Sequence, residues 1–306
     1  VLNLATTRTL LDRLYIDVRL RRICGFLTRK DIPSESVFSR VFAEFAQNDI
    51  AQKLHQAIIP ETQSQRLIGH ISKDSTAIEA RERPKIKAKT PQLQIRRSRG
   101  RPRKDEIRPA KQQIRIEQQQ NMSLSQMLLE LLKSCDVGTK RNSKGHQTSW
   151  IGYKLHIDVA DGQIPISAIL TSASVHDSQV AIPLATMSSQ RVTSLYDLMD
   201  AAYDCEEIKT FSRSLGHIPI IDENPQCNGK SQEKRPKETK FEKTHGLATA
   251  ISIRYNERST VERVNARLKD EFGGRNIWVK GYAKVACHLF FALAALSADQ
   301  IMRLIQ

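Results

Sequence analysis

The middle of the chain constrains the fold most, because it combines a β-hairpin pattern with a strand–helix–strand pattern. Two β-rich runs, 150–160 and 163–173, are joined by Asp161-Gly162, a pair typical of hairpin turns. Residues 193–222 then predict a strand at 193–199, a helix at about 204–215 and a strand at 217–222. The sequence therefore predicts an α/β fold built on a mixed sheet.

The N-terminal region, residues 1–65, has the pattern of a small all-α domain. Ser34 is placed as a helix N-cap. The apolar residues that follow share one helical stripe, at Val37, Phe38, Val41, Phe42 and Phe45. A DNA-binding or oligomerisation module and a plain helical bundle both fit this pattern. The second domain is expected to span 66–306, and its most apolar segment, 285–302, predicts a buried C-terminal helix.

Charge indicates the kind of partner. The 306 residues carry a formal net charge of +15, which favours a polyanion such as nucleic acid. Residues 81–115 hold 14 Lys and Arg against 3 Asp and Glu, a net +11. The composition of 81–148 predicts a basic, weakly structured insertion. The five cysteines form no C-x-x-C pair, which favours a reducing cytosol over a disulfide framework.

One motif stands inside the basic insertion. Arg99-Gly100-Arg101-Pro102 resembles the AT-hook, whose extended core lies in the narrow minor groove of A·T-rich DNA. The resemblance makes Arg99 and Arg101 candidate DNA contacts. A generic basic linker is the alternative.

A second pattern lies in residues 255–272, which contain no Pro or Gly and carry a helical apolar stripe. On one continuous helix, Tyr255, Arg258, Glu262 and Lys269 would share a face about 60° wide and roughly 21 Å long. Such a face suits an extended anionic ligand with a carboxylate in its middle. A solvated charged face is the alternative.

Three carboxylates are candidates for one site. Asp74 lies on a predicted strand at 66–78, Asp200 follows the strand at 193–199, and Glu262 lies on the late helix. Three converging carboxylates repel one another unless a cation neutralises them, and oxygen ligands suit Mg²⁺ or Mn²⁺. Two such ions would serve phosphoryl transfer. A turn aspartate or helix cap is the alternative for Asp200, whose neighbours Asp197 and Asp204 are competing candidates.

These segments together resemble a known family. The spacing of Tyr255, Arg258, Glu262 and Lys269 is similar to the Y–R–E–K signature of bacterial insertion-sequence DDE transposases, which have an RNase H-like catalytic core. "SKDSTAI" around Asp74 and "LMDAAYD" around Asp200 resemble the segments that carry the first two acids of that family. "SWIGYKLHIDV" and "SASVHDSQVAIPL" resemble segments of its central sheet.

The resemblance implies roles for these residues. Asp74, Asp200 and Glu262 would be the catalytic metal ligands, and Tyr255, Arg258 and Lys269 would contact DNA phosphates. His176, in the segment "VHDS", is interpreted as structural.

The resemblance also implies a function. The enzyme would cut and join double-stranded DNA at terminal inverted repeats and at target DNA. It would act as a homodimer, with Mg²⁺ or Mn²⁺, in the cytoplasm at the nucleoid and without a membrane. A non-transposing metal-dependent DNA nuclease and a decayed or domesticated copy that only binds DNA are the alternatives.

Overall fold

The computed structural model describes residue 4 and residues 6–84, 115–141, 146–222 and 250–305. Its centre is a six-stranded mixed sheet. The strands are β1 (Leu67–Glu79), β2 (Asp136–Arg141), β3 (Gln147–Ala160), β4 (Ile164–Ser172), β5 (Thr193–Met199) and β6 (Ile218–Ile221). Their order is β2-β3-β1-β5-β6, with β4 also paired to β3. β1 pairs with β3 in antiparallel register and with β5 in parallel register, so β1 is central.

The described helices are α1 (Thr7–Ile16), α2 (Val18–Ile23), α3 (Glu35–Gln47), α4 (Ile50–Gln63), α5 (Arg115–Gln119), α6 (Leu124–Glu130), α7 (Ser178–Ser189), α8 (Glu206–Ser214), α9 (Ala250–Asn256), α10 (Ser259–Asp270) and α11 (Tyr282–Ile305). Helices α10 and α11 cover one face of the sheet. Helices α7 and α8 cover the other, with α5 and α6 packed beside them. The predicted mixed α/β architecture is therefore confirmed.

The predicted hairpin is also confirmed, because β3 and β4 flank Asp161-Gly162. Gly162 has φ +81° and Gln163 has φ +62°. The loop holds three residues, 161–163, because Ala160 pairs with Ile164, and the Gln163 N–H donates to the Ala160 carbonyl at 3.1 Å. Asp161 does not have positive φ, so the turn is not the two-residue Asp-Gly type.

The N-terminal helices share a core with the sheet. Ala46 on α3 and Ala51 on α4 are buried in the same cluster as Leu155 on β3 and Leu293 on α11. The helical content predicted for this region is therefore present, and these helices pack on α11. Whether residues 1–65 form a domain of their own stays a prediction.

The predicted weak structure of 81–148 is wrong for part of that range. Within it, residues 115–119 and 124–130 are helical, and 136–141 form a strand of the sheet. Apolar side chains drive this: Ile116 and Met127 are buried against Met199 and Ile208. The +11 segment at 81–115 lies mostly outside the described residues, and Arg99 and Arg101 lie wholly outside them.

Helix α11 belongs to the core. By length and composition this 24-residue helix could cross a membrane, but 61% of its apolar 18-residue stretch is buried inside the fold. Val285, Leu289, Leu293 and Leu296 are fully buried against the sheet. Burial of this kind is the mark of a core helix, as the sequence predicts.

A buried ion pair fixes the sheet behind the candidate acids. Lys73 donates to both carboxylate oxygens of Asp158 at 2.7 Å, and both side chains are almost fully buried. Ser188 on α7 donates a further 2.7 Å hydrogen bond to Asp158. The network joins β1, β3 and α7 directly beside Asp74.

Candidate active site

Two of the predicted acids lie side by side. In the parallel register of β1 and β5, Ser72 is opposite Leu198. Asp74 and Asp200 each follow two residues later, and alternation along a strand puts both on the same face. Asp200 begins the turn after β5 and accepts a 2.9 Å hydrogen bond from the Ala202 N–H. The cap interpretation of Asp200 is therefore confirmed, and its role in a metal site stays a prediction.

The pKa values of both carboxyl groups are raised above the ordinary value for an aspartate. The pKa of Asp74 is raised to about 6, chiefly by burial and also by the negative charge of Asp200, while the Ser75 N–H and the nearby cations oppose the shift. Burial also raises the pKa of Asp200, and the charge of Asp177 adds to the effect. Two desolvated, mutually repelling carboxylates form a site that favours a cation.

The late helix is not continuous, which corrects the sequence-based geometry. Helix α9 ends at Asn256 and α10 begins at Ser259. The backbone between them makes i to i+3 hydrogen bonds, from Arg258 N to Tyr255 O at 2.9 Å and from Thr260 N to Glu257 O at 2.9 Å. The continuous helix assumed for the four-residue face is therefore wrong at residues 257 and 258.

A long-range contact accompanies the break. The Ser72 hydroxyl on β1 donates to the Glu257 carbonyl at 3.4 Å. Because the helix is broken, Tyr255 lies on α9, Arg258 lies at the junction, and Glu262 and Lys269 lie on α10. The buried stripe of Val261, Val264 and Leu268 holds α10 on the sheet, as its spacing predicts.

The third predicted acid is engaged elsewhere. Glu262 accepts a 2.6 Å hydrogen bond from Arg258, and its side chain is 54% exposed. In the part of the chain that the structure describes, no three His, Cys, Asp or Glu side chains are grouped closely enough to hold a metal ion. Asp74 and Asp200 are brought together, and Glu262 lies apart with Arg258.

Arg258 links the acids. Burial disfavours its charged form, yet its pKa is raised by the acidic groups around it, which are Tyr255, Glu262, Asp74 and Asp200. Its guanidinium also lies 5.9 Å from the centre of the Tyr255 ring. The Arg258 guanidinium therefore supplies the positive charge that the surrounding carboxylates favour.

A second cation near the site is Lys269. It is half-buried, and its pKa is lowered by burial and by the positive charges of Arg275 and Lys140. Lys140, on β2, also acts on Asp74 and Asp200, lowering the pKa of both. Sequence reasoning missed Lys140, because a single lysine in a basic region carries no signal of its own.

Two further side chains at the acid pair were also missed. Asn265 donates a 3.2 Å hydrogen bond from Nδ2 to Asp74 Oδ2, from one helical turn beyond Glu262. Tyr203, in the turn after Asp200, is buried, and its hydroxyl has no hydrogen-bond partner among the described residues. Asp74 and Asp200 both raise the pKa of that hydroxyl, after burial itself. The spacing of three residues between Glu262 and Asn265 is the one signal that could have found the latter.

Behind the pair lies a second layer of charge. Asp177 accepts a 3.0 Å hydrogen bond from Lys154 Nζ and lies 3.7 Å from His156 Nδ1. His176 lies beside it but is exposed, and its ring nitrogen bonds Ser178 at the start of α7. The exposure of His176 and its contact with Ser178 are consistent with a structural role. Its neighbour Asp177, in the same motif, is the residue that lies among the charged groups behind the acid pair.

The donor set fits a divalent cation. Asp74 and Asp200 present carboxylate oxygens on neighbouring strands, and the unpartnered Tyr203 hydroxyl lies close to them. Oxygen donors of this kind are those that Mg²⁺ and Mn²⁺ prefer.

A mixed sheet with helices on both faces, and two carboxylates on its neighbouring central strands, is consistent with an RNase H-like transposase domain. Residues 65–298 match the family model described as "Transposase DDE domain", so the chain belongs to the DDE transposase family. No curated protein and no solved structure matches the chain. Membership implies a DNA substrate and a nuclease- or transposase-type enzyme, in a family that generally depends on divalent metal ions.

Proposed function

We propose that this chain is the transposase of a bacterial insertion sequence, and that Tyr255, Arg258, Glu262 and Lys269 are its Y–R–E–K signature. The observation that carries the proposal is the shared register of Asp74 and Asp200, with Arg258 and Glu262 beside them. Together with the family match, this arrangement supports DNA strand cleavage at the element ends followed by strand transfer.

In this proposal Asp74, Asp200 and Glu262 hold two Mg²⁺ or Mn²⁺ ions. When bound, such ions neutralise the carboxylates and polarise a water molecule and the scissile phosphate. Glu262 turns from Arg258 toward Asp74 and Asp200. Arg258 is then released to bind a phosphate next to the scissile bond, where its planar donors suit phosphate oxygens.

The remaining residues orient the substrate. Lys269 and Tyr255 contact phosphates on either side of Arg258, and Asn265 holds Asp74 in place through its 3.2 Å hydrogen bond. A water oxygen bonds to phosphorus as the bond from phosphorus to the 3′ oxygen breaks. The freed 3′ oxygen would then bond to a phosphorus of target DNA as the bond from that phosphorus to its own 3′ oxygen breaks, and the proton of the attacking hydroxyl would pass by way of solvent to the leaving oxygen. Both steps are displacements at phosphorus, so one site would serve both.

The proposal extends to the assembly. A homodimer would bind the two terminal inverted repeats, with Arg99 and Arg101 in the minor groove of A·T-rich DNA. The protein would act in the cytoplasm at the nucleoid.

The test first requires the DNA that flanks the coding region to be sequenced, and then uses a supercoiled plasmid that carries the two terminal inverted repeats that the proposal expects there. Wild-type protein with Mg²⁺ is expected to nick at the repeat ends and to join those ends to a second DNA. Nicking without joining would indicate a non-transposing nuclease. Binding to the repeats without either reaction would indicate a copy that only binds DNA. Either result would contradict the proposal.

A further inference from the structure

The buried face of α10 includes the amide side chain of Asn265. Val261 and Leu268 are fully buried against the sheet, and Asn265 lies four residues after the first and three before the second. Residues at these spacings share one face of a helix. Asn265 itself is only 7% exposed. The helix therefore presents an amide to the sheet where its neighbours present apolar side chains.

Only one of the two polar atoms of this amide has a partner among the described residues. Asn265 Nδ2 donates the 3.2 Å hydrogen bond to Asp74 Oδ2 on β1. Asn265 Oδ1 is buried and has no hydrogen-bond partner in the described part of the chain. Most buried polar atoms in folded proteins have a partner, because burying one without a partner is unfavourable. An unpaired amide oxygen beside a buried aspartate indicates that a further group binds there.

The oxygens that surround this position indicate the chemistry of that group. An amide oxygen and a carboxylate oxygen are both acceptors, so together they need a donor or a cation. Asp74 and Asp200 already present two carboxylates on neighbouring strands. A water molecule would satisfy the amide oxygen alone, whereas a divalent cation would satisfy the amide oxygen and both carboxylates. Oxygen ligands of these two kinds suit Mg²⁺ and Mn²⁺.

The distance from Asn265 to Asp74 also fits a shared ion. Neighbouring ligands of an octahedral Mg²⁺, each about 2.0–2.1 Å from the ion, lie about 2.9 Å apart. Asn265 Nδ2 lies 3.2 Å from Asp74 Oδ2. A 180° turn of the amide exchanges Nδ2 and Oδ1, which have nearly the same size and shape. The turn brings Oδ1 close to the ligand spacing from Asp74 without any movement of the backbone.

Glu262, three residues earlier on α10, is placed differently. Its side chain is 54% exposed and accepts the 2.6 Å hydrogen bond from Arg258. Asn265 contacts Asp74 directly, whereas Glu262 must first leave Arg258 to reach the acid pair. Helix α10 therefore contacts the first acid through Asn265.

We propose that the side-chain oxygen of Asn265 is a ligand of the divalent cation that Asp74 and Asp200 bind. This inference rests on the proposed function for the presence of that cation. With the cation bound, Asn265 holds Asp74 through the shared ion in place of the N–H donation. A neutral ligand completes the coordination without adding to the repulsion between the carboxylates.

The experiment places a thiol at this position in the full chain and measures Cd²⁺ binding. A thiolate prefers a soft ion, and a thiolate bound to Cd²⁺ gives a charge-transfer absorbance. Asn265→Cys is expected to show this absorbance above the level of Asn265→Ala, which keeps every native cysteine. Adding Asp74→Asn to Asn265→Cys should remove it. Val264→Cys is the matched control, because Val264 is the preceding residue of α10 and is fully buried in the core cluster.

A second measurement is Mn²⁺ affinity, taken from the electron paramagnetic resonance of free Mn²⁺. Asn265→Leu has a similar volume but no oxygen, so its affinity should fall by about tenfold or more. Circular dichroism checks that each variant is folded. If Asn265→Cys does not fold, Asn265→Asp decides, because it keeps a side-chain oxygen and loses the N–H donor. Mn²⁺ affinity at or above wild type in Asn265→Asp supports the inference, and weaker affinity overturns it.

The controls separate the possible results. No Cd²⁺ absorbance in folded Asn265→Cys overturns the inference even if Asn265→Leu binds Mn²⁺ weakly, because Asn265 would then only position Asp74. Equal absorbance in Val264→Cys also overturns it, because any thiol on the helix would then bind the ion. Unchanged Mn²⁺ affinity in Asn265→Leu overturns it as well.

The proposed function is tested separately by wild-type cleavage in Mg²⁺. Wild-type cleavage without Cd²⁺ absorbance in Asn265→Cys overturns the ligand and leaves the function standing. Cd²⁺ absorbance without wild-type cleavage overturns the function and leaves the ligand standing. If the wild-type protein binds no Mn²⁺, both fail.

Discussion

Arg258 donates a 2.6 Å charge-assisted hydrogen bond to Glu262, four residues further along the chain. The same guanidinium interacts with Asp74 and Asp200, so one arginine is shared by the three acids proposed to bind metal. In the absence of metal, Arg258 supplies the positive charge at the site. Metal binding and the Arg258–Glu262 ion pair should therefore compete.

The first prediction concerns the removal of Arg258, which should compete with the metal ion. Arg258→Ala should tighten Mn²⁺ binding, because Glu262 is released and the positive charge beside the acid pair is lost. Binding is measured by electron paramagnetic resonance of free Mn²⁺. Arg263→Ala is the control, since Arg263 follows Glu262 on α10 but bonds Ser259. Weaker Mn²⁺ binding by Arg258→Ala would show that Arg258 supports the metal site instead.

The second prediction concerns pH. Burial raises the pKa of Asp74 to about 6 from its ordinary value of 3.8, so the folded protein binds this proton more tightly than the unfolded chain does. Without metal, this group should make the protein more stable as the pH falls from above 6 toward 4. Mg²⁺ requires the ionised carboxylate, so stabilisation by Mg²⁺ should disappear as the pH falls through about 6.

The measurement is the melting temperature with and without Mg²⁺ across this pH range. Asp74→Asn should abolish the Mg²⁺-dependent shift at every pH. A Mg²⁺ shift that is independent of pH between 5 and 7 would remove Asp74 from the metal site.

The third prediction separates two acids near the end of β5. From sequence alone, Asp204 is placed to begin the helix after β5 and Asp197 has no such role, so Asp197→Asn is expected to be the milder substitution. The structure reverses this expectation, because Asp197 is 2% exposed and bonds Ser212 at 2.5 Å and His217 at 3.1 Å. Asp204 instead pairs with Lys209 at 2.6 Å and lies nearer the surface.

Asp197→Asn should therefore lower the free energy of unfolding by about 1–3 kcal/mol, the cost of a disrupted buried hydrogen-bond network. Asp204→Asn should cost about 1 kcal/mol or less. Urea denaturation of the two variants decides between them. A larger loss in Asp204→Asn would contradict the burial that distinguishes these acids.

The fourth prediction concerns the buried pair of Lys73 and Asp158. Lys73→Met leaves the Asp158 carboxylate buried and uncompensated, so it should cost about 3–5 kcal/mol of stability. The double variant Lys73→Met with Asp158→Leu should recover much of that loss, because apolar side chains can replace a buried ion pair. Urea denaturation of both proteins measures the difference. A double variant less stable than the single one would show that the pair itself stabilises the fold.

The sequence predicts the elements of the site better than their geometry. The alternation of β5 places Asp197 and Asp200 on opposite faces, as observed. The break between α9 and α10 has no local signal, since residues 255–272 lack Pro and Gly, and it coincides with a contact from Ser72, far away in the chain.

Lys140 shows a different limit of sequence analysis. Its segment reads as a basic insertion, and only the fold shows that Lys140 lies on a strand of the sheet, paired with Thr148 of β3. Tyr203 and Asn265 likewise acquire their partners through packing. A charge pattern identifies candidate residues, whereas the tertiary fold decides which of them meet.

The most direct test of the proposed site is cleavage of a duplex inverted-repeat end in Mg²⁺ by wild-type protein, Glu262→Gln and Glu271→Gln. Glu271 is a matched control, because it is an exposed glutamate just beyond α10 that pairs with Arg267. We predict that Glu262→Gln binds the duplex as wild type does but yields no cleaved strand, while Glu271→Gln cleaves normally. Cleavage by Glu262→Gln at the wild-type rate would contradict the assignment of Glu262 to the metal site.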